Sequence, residues 1–563
     1  MTRTSLLTGL TLMAWTAPTA AQARPADLLL VNGRVYTPSG WREAVAVRNG
    51  TIVAVGSTAV VSRLGAAGTR RVDLGGKTVL PGLFDMHVHP MMAGNGAEGI
   101  CRIAQGVTAE DLLRVVAGCV ASVGPGNWVT GGQWQAVSMG TTPITRQTLD
   151  AISPGNPVML FDISGHSIWV NSRALERAGI RHDTPNPEGG IIERTPDGEP
   201  TGVLRETATA LVMQQVPPPS AEANVAALKS GLELMLARGI TGLTDAMVLR
   251  DAVEAYGTLA DRGQLLQTVR GCLAYSTAGR RIPGFEEILA RRSAASRPNF
   301  HLDCVKVFAD GVPTESHTAA MLEPYADQQP NAPARGMLLI DPKEINPAVA
   351  AWDRMGLTVL FHAAGDGAVR AAIDAIAFAR RANGGRRPRH QVGHSTFIAT
   401  TDLARARRLN LTIEFSPYLW APSPINDDII KAIGPERIKR VWPIREGFAS
   451  GALVVAGSDW AVVPDPDPWL AIETSVTRKA PGGGGAAFGP GEAITVRQAV
   501  AMFTINAARQ MGLDKRLGSI EVGKQADLVV IDHDPFGVPV TEIHAIKVQQ
   551  TYIAGRKVFE REH

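Results

Sequence analysis

Cysteine is scarce in this chain. Its 563 residues include four, Cys101, Cys119, Cys272 and Cys304, widely scattered and with no Cys-x-x-Cys pair. That spacing argues against a zinc site built on thiolates. Two readings of the first pair stand side by side. Cys101 and Cys119 form a disulfide in an oxidising compartment, or they are unrelated buried thiols. A charge excess is missing as well. Lys plus Arg number 56 against 53 acids, a net +3, and the two signs are interleaved. Nothing therefore marks a nucleic-acid footprint or attraction to a membrane surface. Past the first residues, no segment approaches the ~20 apolar residues of a membrane-spanning helix. Aromatic residues make up only 5% of the chain, whereas glycine occupies 58 positions. This balance suits a large α/β enzyme.

The N-terminus carries a recognisable layout. Met1-Thr2-Arg3 precedes an apolar stretch from Leu6 to Trp15, and Ala21-Gln22-Ala23 follows as a small-x-small cleavage site. This is the pattern of a secretory signal peptide over residues 1–23, with a mature chain beginning near Arg24. The apolar stretch is too short to span a bilayer as a stable helix. The expected product is secreted, or periplasmic if the cell is Gram-negative.

The rest reads as one inserted arrangement. Short apolar runs punctuated by glycine fill residues 24–79: Leu28–Val31, Ala44–Val47 and Ile52–Val55. They predict short antiparallel strands with tight turns. The far C-terminus, 511–563, reads alike, with strands at Asp527–Ile531 and Ile546–Val548 and a hairpin over Thr551–Phe559. Both ends are expected to build one small β-sandwich. Between them lie eight strand-like runs: Leu80–His89, Thr241–Ala246, Leu266–Ala274, Cys304–Phe308, Thr358–His362, Gln391–His394, Leu411–Phe415 and Leu453–Ser458. Helical patterns separate most of them, as at Ala221–Arg238, Ala368–Ala382 and Thr401–Leu409. Alternating βα units point to a parallel sheet, and eight of them to an α/β fold of the (β/α)8 TIM-barrel type over 80–510. The gap after the first strand is too long for one crossover. Residues 93–219 are expected to form an inserted subdomain, with strands near Trp128–Thr130 and Pro157–Phe161.

Chemistry concentrates at strand ends, where such barrels place their reactive groups. His87 and His89 close the first run, and residues two apart in a strand share a face. Neutral imidazole binds zinc well. Lys306 lies in the fourth run, His362 ends the fifth, His394 ends the sixth, and Asp459 follows the eighth. Each alone has an ordinary explanation: a hydrogen-bonded histidine, a snorkelling lysine, an aspartate at a turn. Their joint order along the barrel favours a metal centre. His390 precedes its strand and is expected at the opposite, stability face. His182, His301, His533, His544 and His563 show no partner signature.

Four segments also resemble a known family. Pro81–His89, Gly165–Ser172, Lys306–Gly311 and Gly518–Leu528 are similar to motifs of the amidohydrolase superfamily. The match is to its amidohydrolase family 3 branch, which includes N-substituted formamide deformylase-like proteins. The likeness covers nearly all of the mature chain. It implies that His87 and His89, with Asp459, hold the more buried of two divalent metal ions, and that His362 and His394 hold the other. It implies that Lys306 is N6-carboxylated and bridges the two. Zinc suits the histidine-rich set; manganese, iron and cobalt are also compatible. The implied reaction is hydrolysis of a C–N bond in an amide, N-acyl or formamide-type small molecule. A metal-bridging hydroxide attacks, and Asp459 acts as general base, then general acid. An ester, lactone or carbamate hydrolase could use the same site, and a secreted metal-binding protein without turnover is the reading from outside enzymes. The sixth-strand histidine departs from the family in context, following Gln-Val-Gly, but the ligand itself is kept. His166, in the insert, and His317, past Lys306, are candidate substrate contacts. A homo-oligomer is left open.

Overall fold

The computed structural model describes residues 24–562, apart from 94–99, 105, 278–279, 329–332, 386–387 and 417–423. The expected signal peptide lies outside the described residues.

Leu28–Val31 shows how the ends fold. All four residues are buried, Leu28 and Leu30 on one face and Leu29 and Val31 on the other. A strand covered on both faces needs such a continuous apolar run. It sits in a four-stranded sheet ordered Thr51–Gly56, Ala44–Arg48, Leu28–Val31, Arg70–Asp73. A six-stranded sheet packs against it through Val35, Val79, Leu528, Val530 and Tyr552. That second sheet joins the chain ends: Arg556–Glu560, Val548–Ile553, Leu528–Ile531, Thr78–Pro81, Arg34–Thr37 and Gly40–Arg42, in that order. The C-terminal reading needs one correction. Val548–Ile553 is a single strand, so the run read as a separate strand at Ile546–Val548 feeds directly into the hairpin.

Eight parallel strands form the barrel. They are Leu83–Val88, Ile240–Val248, Thr268–Ala274, Phe300–Phe308, Thr358–Ala363, Gln391–His394, Thr412–Phe415 and Leu453–Ala456, neighbours in chain order. The first is shorter than the sequence suggested. Thr78–Pro81 pairs with Leu528–Ile531 in the sandwich, and the chain enters the barrel only after Gly82. The eighth strand meets the first through a short bridge. His87 O accepts from Asp459 N–H at 2.7 Å, and Trp460 O accepts from His89 N–H at 2.6 Å. Barrel closure thus falls on three of the expected metal-site residues or their neighbours.

The insert carries its own six-stranded sheet, ordered Gly190–Arg194, Pro200–Glu206, Ser167–Val170, Val158–Asp162, Val129–Trp134, Ile100–Arg102. Alternation divides it cleanly. Leu160 and Trp169 pack on one side with the helix Ala109–Ser122, and Met159 and Ile168 on the other with the helix Ser172–Ala178. Cys101 and Cys119 are joined in a disulfide on the first side. Cys272 and Cys304, which carried no pairing signal in the sequence, are joined too. They stand opposite one another on the third and fourth barrel strands.

Candidate metal centre

One cavity opens at the C-terminal end of the barrel. Its walls include His87, His89, Lys306, His362, His394 and Asp459, which are all six residues expected to make a metal centre. They converge because each ends, or lies near the end of, a parallel strand whose alternate side chains point inward.

His87 is the hub. It is fully buried, and its Nδ1 lies 2.9 Å from Glu414 Oε2. Its Nε2 lies 3.0 Å from Lys306 Nζ and 3.8 Å from Asp459 Oδ1. His89 Nε2 stands 3.3 Å from the same carboxylate oxygen. One donor atom from each of His87, His89 and Asp459 can be chosen so that all lie within 4.8 Å of one another. Three such donors around one point are what a divalent ion needs from the protein in a hydrolytic site. Close approach is possible because position 457 is glycine. A Cβ there would stand 2.3 Å from His87 Cβ.

His394 and His362 continue the cluster. The His394 ring lies 4.4 Å from those of both His87 and His362. His394 Nδ1 is 3.1 Å from Ser416 Oγ and 3.8 Å from Asp459 Oδ2. His362 Nε2 is 3.0 Å from Gly311 O and 3.7 Å from Asp310 Oδ1. Burial pushes His87, His362 and His394 well below the usual imidazole range, and neighbouring cationic groups add to the effect. The rings are therefore neutral and keep a lone pair to offer a cation. Lys306 is only 1% exposed. Burial lowers its amine to about 8, against the opposing pull of Asp459, Glu414 and Asp245. The donor set fits a divalent centre: neutral imidazoles, one carboxylate, and an amine that deprotonates near neutrality.

Carboxylates without a sequence signal complete the surroundings. Glu414, in the seventh strand, takes His87 Nδ1 on one oxygen and also accepts the His394 N–H at 3.1 Å. It thereby fixes which nitrogen of His87 faces the cavity. Burial raises Glu414 to about 8. Asp310 accepts backbone N–H groups from Ala320, Ala364 and Gly365, tying the fourth-strand loop to the fifth; burial raises it to about 8. Asp85 Oδ1 accepts from the N–H groups of His87 and Ser458, linking first and eighth strands. The available hint was a lone acid inside an apolar strand, as in Leu411-Thr412-Ile413-Glu414-Phe415.

The two candidate substrate contacts part company. His166 lines the cavity, its ring 4.9 Å from that of His362. Burial works against its charged form, but the Glu206 carboxylate at 2.9 Å and then Asp162 outweigh it and raise His166 to about 9. His317 is turned elsewhere. It is buried, stacks on Tyr325 at 4.4 Å, faces Asp327 Oδ1 at 2.9 Å, and is not part of the cavity wall. The remaining wall is largely apolar, with Met92, Met247, Phe308, Ile425, Ile429 and Val462.

The model of the amidohydrolase family matches residues 70–559. The chain is similar to "Protein LONG AFTER FAR-RED 3" of Arabidopsis thaliana, 32% identical over 95% of this chain and 92% of that protein. It is similar to the N-substituted formamide deformylase of Arthrobacter pascens, 29% identical over 95% of this chain and 98% of that enzyme. In fold it resembles an uncharacterised metal-dependent hydrolase from Pyrococcus horikoshii. That likeness has a TM-score of 0.71 and 23% identity, and covers 91% of this chain and 99% of the other.

Proposed function

This chain belongs to the amidohydrolase family, a metal-dependent family of hydrolases acting on C–N bonds, and from that premise we propose how this member works and where. Its substrate is a small molecule with an amide, N-acyl or formamide-type bond, and the enzyme itself is exported. The convergence of His87, His89, Asp459, Lys306, His362 and His394 on one cavity carries the reading.

His87, His89 and Asp459 would hold one divalent ion, and His362 and His394 a second. Lys306, as its carbamate, would lie between them. The amine adds to carbon dioxide, forming an N–C bond and releasing one proton to solvent. Its burial supplies the neutral amine this needs. When bound, the ions supply Lewis acidity, polarising the scissile carbonyl and lowering the pKa of water towards ~7. Zinc is the ion the imidazole-rich set favours.

The chain's own groups do the rest. Asp459 takes the proton of the attacking water and returns it to the leaving nitrogen, one carboxylate serving as base and then acid. Its place beside His87, His89 and His394 gives it reach to both halves of the centre. Glu414 holds His87, and the largely apolar wall excludes water from the reacting bond.

Export is supported by the N-terminal pattern and by the two disulfides, which persist in oxidising compartments. N-terminal sequencing of protein made by its own cell is expected to start near Arg24. A cytoplasmic form retaining Met1 would remove this part of the reading.

The deciding experiment combines Lys306→Ala with metal analysis. Zinc-loaded wild type, assayed on N-alkyl formamides, N-acyl amines and matched esters, is expected to prefer the nitrogen compounds and to bind about two ions per chain. Lys306→Ala is expected to lose one or both ions and most turnover, with partial rescue by a short carboxylic acid. Full metal content with near-normal turnover in the variant contradicts the bridging role.

A further inference from the structure

Among the described residues, His166 is the one histidine in the cavity wall that the metal centre does not use. It stands just before the insert strand Ser167–Val170 and reaches over the barrel, 4.9 Å from the His362 ring and 6.3 Å from that of Phe308. Two bonds tie it to Glu206. Its Nδ1 lies 2.9 Å from Glu206 Oε2, and its carbonyl accepts the Glu206 N–H at 2.9 Å. Glu206 is buried and ends the strand Pro200–Glu206 with φ +50° and ψ −126°, a conformation that favours glycine. A non-glycine residue is seldom held there, and such strain collects at functional sites.

The barrel makes room for this pair. A Cβ on Gly311, in the loop just past the fourth strand, would stand 2.0 Å from Glu206 Oε1. The Gly311 carbonyl in turn is 3.0 Å from His362 Nε2. The insert is also seated on the loop after Asp459, where Gln133 Nε2 donates to Val462 O at 2.9 Å. The insert therefore meets the barrel on both sides of the cavity. With Nδ1 committed to Glu206, Nε2 is the ring nitrogen left for the cavity. A carboxylate on one imidazole nitrogen fixes the ring and directs the other nitrogen, as in hydrolytic dyads.

We infer that His166 is a catalytic residue supplied by the inserted subdomain. Its Nε2 hydrogen-bonds the amide being cleaved, and Glu206 is its positioning residue. The inference rests on the reading of the cavity as a C–N hydrolase centre.

Two substitutions separate substrate contact from a purely structural pairing. In His166→Asn the amide sits where Nδ1 was; it keeps the bond to Glu206 and offers nothing at the Nε2 position. In His166→Gln the amide reaches the Nε2 position. The probe is the amide that zinc-loaded wild type turns over fastest in the panel above. His166→Asn is expected to keep wild-type metal content and melting temperature and to lose ~10²-fold or more in kcat/KM. His166→Gln is expected to recover at least about a tenfold part of that loss. Glu206→Gln is expected to lower kcat with a smaller effect on KM, because the ring remains but is less well aimed. Near-normal turnover in His166→Asn overturns the inference and leaves the proposed function standing. Loss of metal or fold in both His166 variants also overturns it, by making the role structural. A wild type that cleaves no amide in the panel defeats the underlying reading instead.

Discussion

At the scale of single residues, the centre is built from side chains held in conformations they would not choose freely. Asp459 and His394 have φ of +59° and +65°, and Ser395 follows at +42°. Each is a non-glycine residue in left-handed backbone, and each sits where a barrel strand ends. That geometry is maintained by surrounding bonds, such as Asp459 N–H to His87 O. It turns the Asp459 carboxylate back over the strand ends, where it meets three imidazoles. Asp459 has two tasks in the proposed reaction, and they can be separated. Asp459→Asn keeps the size and one ligand oxygen but is no longer basic. The variant is expected to keep the fold and at least one ion while losing about 10²–10⁴-fold in turnover. Metal content, melting temperature and turnover should be measured on one preparation. Unchanged turnover would take Asp459 out of the proton transfer. The six expected ligands were legible because metal chemistry restricts residue type and because strand-end position is visible in an apolar run. Glu414, Asp310 and Glu206 were not. A carboxylate that works by orienting another side chain has no spacing rule, since its partner lies across the fold: Glu414 is 327 positions from His87.

At the scale of elements, the barrel's opposite end shows how the same residue type serves stability. His390 precedes the sixth strand and is fully buried. Its Nδ1 accepts the Val359 N–H at 3.0 Å, and its Nε2–H donates to Asp353 Oδ1 at 3.0 Å. Asp353 lies in the helix Pro342–Arg354 and also pairs with Arg380 of the helix Asp366–Asn383. One ring thus joins two helices to the start of the fifth strand. Burial lowers the His390 pKa below 6.5, partly offset by Asp353. Below about pH 6.5 the unfolded chain takes up a proton that the folded chain refuses, because protonated Nδ1 cannot accept from Val359. Stability is therefore lost as pH falls from the unfolded pKa towards the folded one, by up to about 1.4 kcal/mol per pH unit for this group. In metal-free protein, His390→Asn is expected to start less stable than wild type at pH 7.5 but to fall less steeply towards pH 5. Thermal melts at several pH values check this, and parallel slopes would contradict it. Element by element, the eight barrel strands were legible as apolar runs separated by helical periodicity. The places that misread are places where neighbours decide. Thr78–Pro81 and Leu83–Val88 look like one run, and only their different partners separate them. The Cys272–Cys304 link was equally invisible, because it depends on which residues of adjacent strands fall opposite each other.

At the scale of the whole molecule, the placement of the candidate ligands has a thermodynamic consequence. The candidate ligands come from the first, fourth, fifth, sixth and eighth barrel strands or the loops directly after them. The first and eighth are the pair that closes the barrel, joined among the described residues by the Val88–Trp460 bridge and adjacent backbone bonds. An ion held by His87, His89 and Asp459 would therefore clamp the seam, where a single bridge stands in place of a strand register. The unfolded chain scatters these ligands over more than three hundred residues and offers no comparable site. Anything that binds the folded state alone stabilises it by RT ln(1 + [L]/Kd), about 2.7 kcal/mol at a hundredfold excess over Kd and about 4.1 at a thousandfold. Chelation is thus expected to lower the melting temperature as well as abolish turnover, and added zinc to restore both. The sandwich and the insert have separate cores and no ligands in the set, so far-UV circular dichroism below the transition should change little. The same titration on Lys306→Ala should show a smaller metal-dependent shift, because fewer ions remain to be removed. Chelation that strips the metal and ends turnover without moving the melting temperature would show that the seam closes on its own backbone bonds, and that the ions serve chemistry alone.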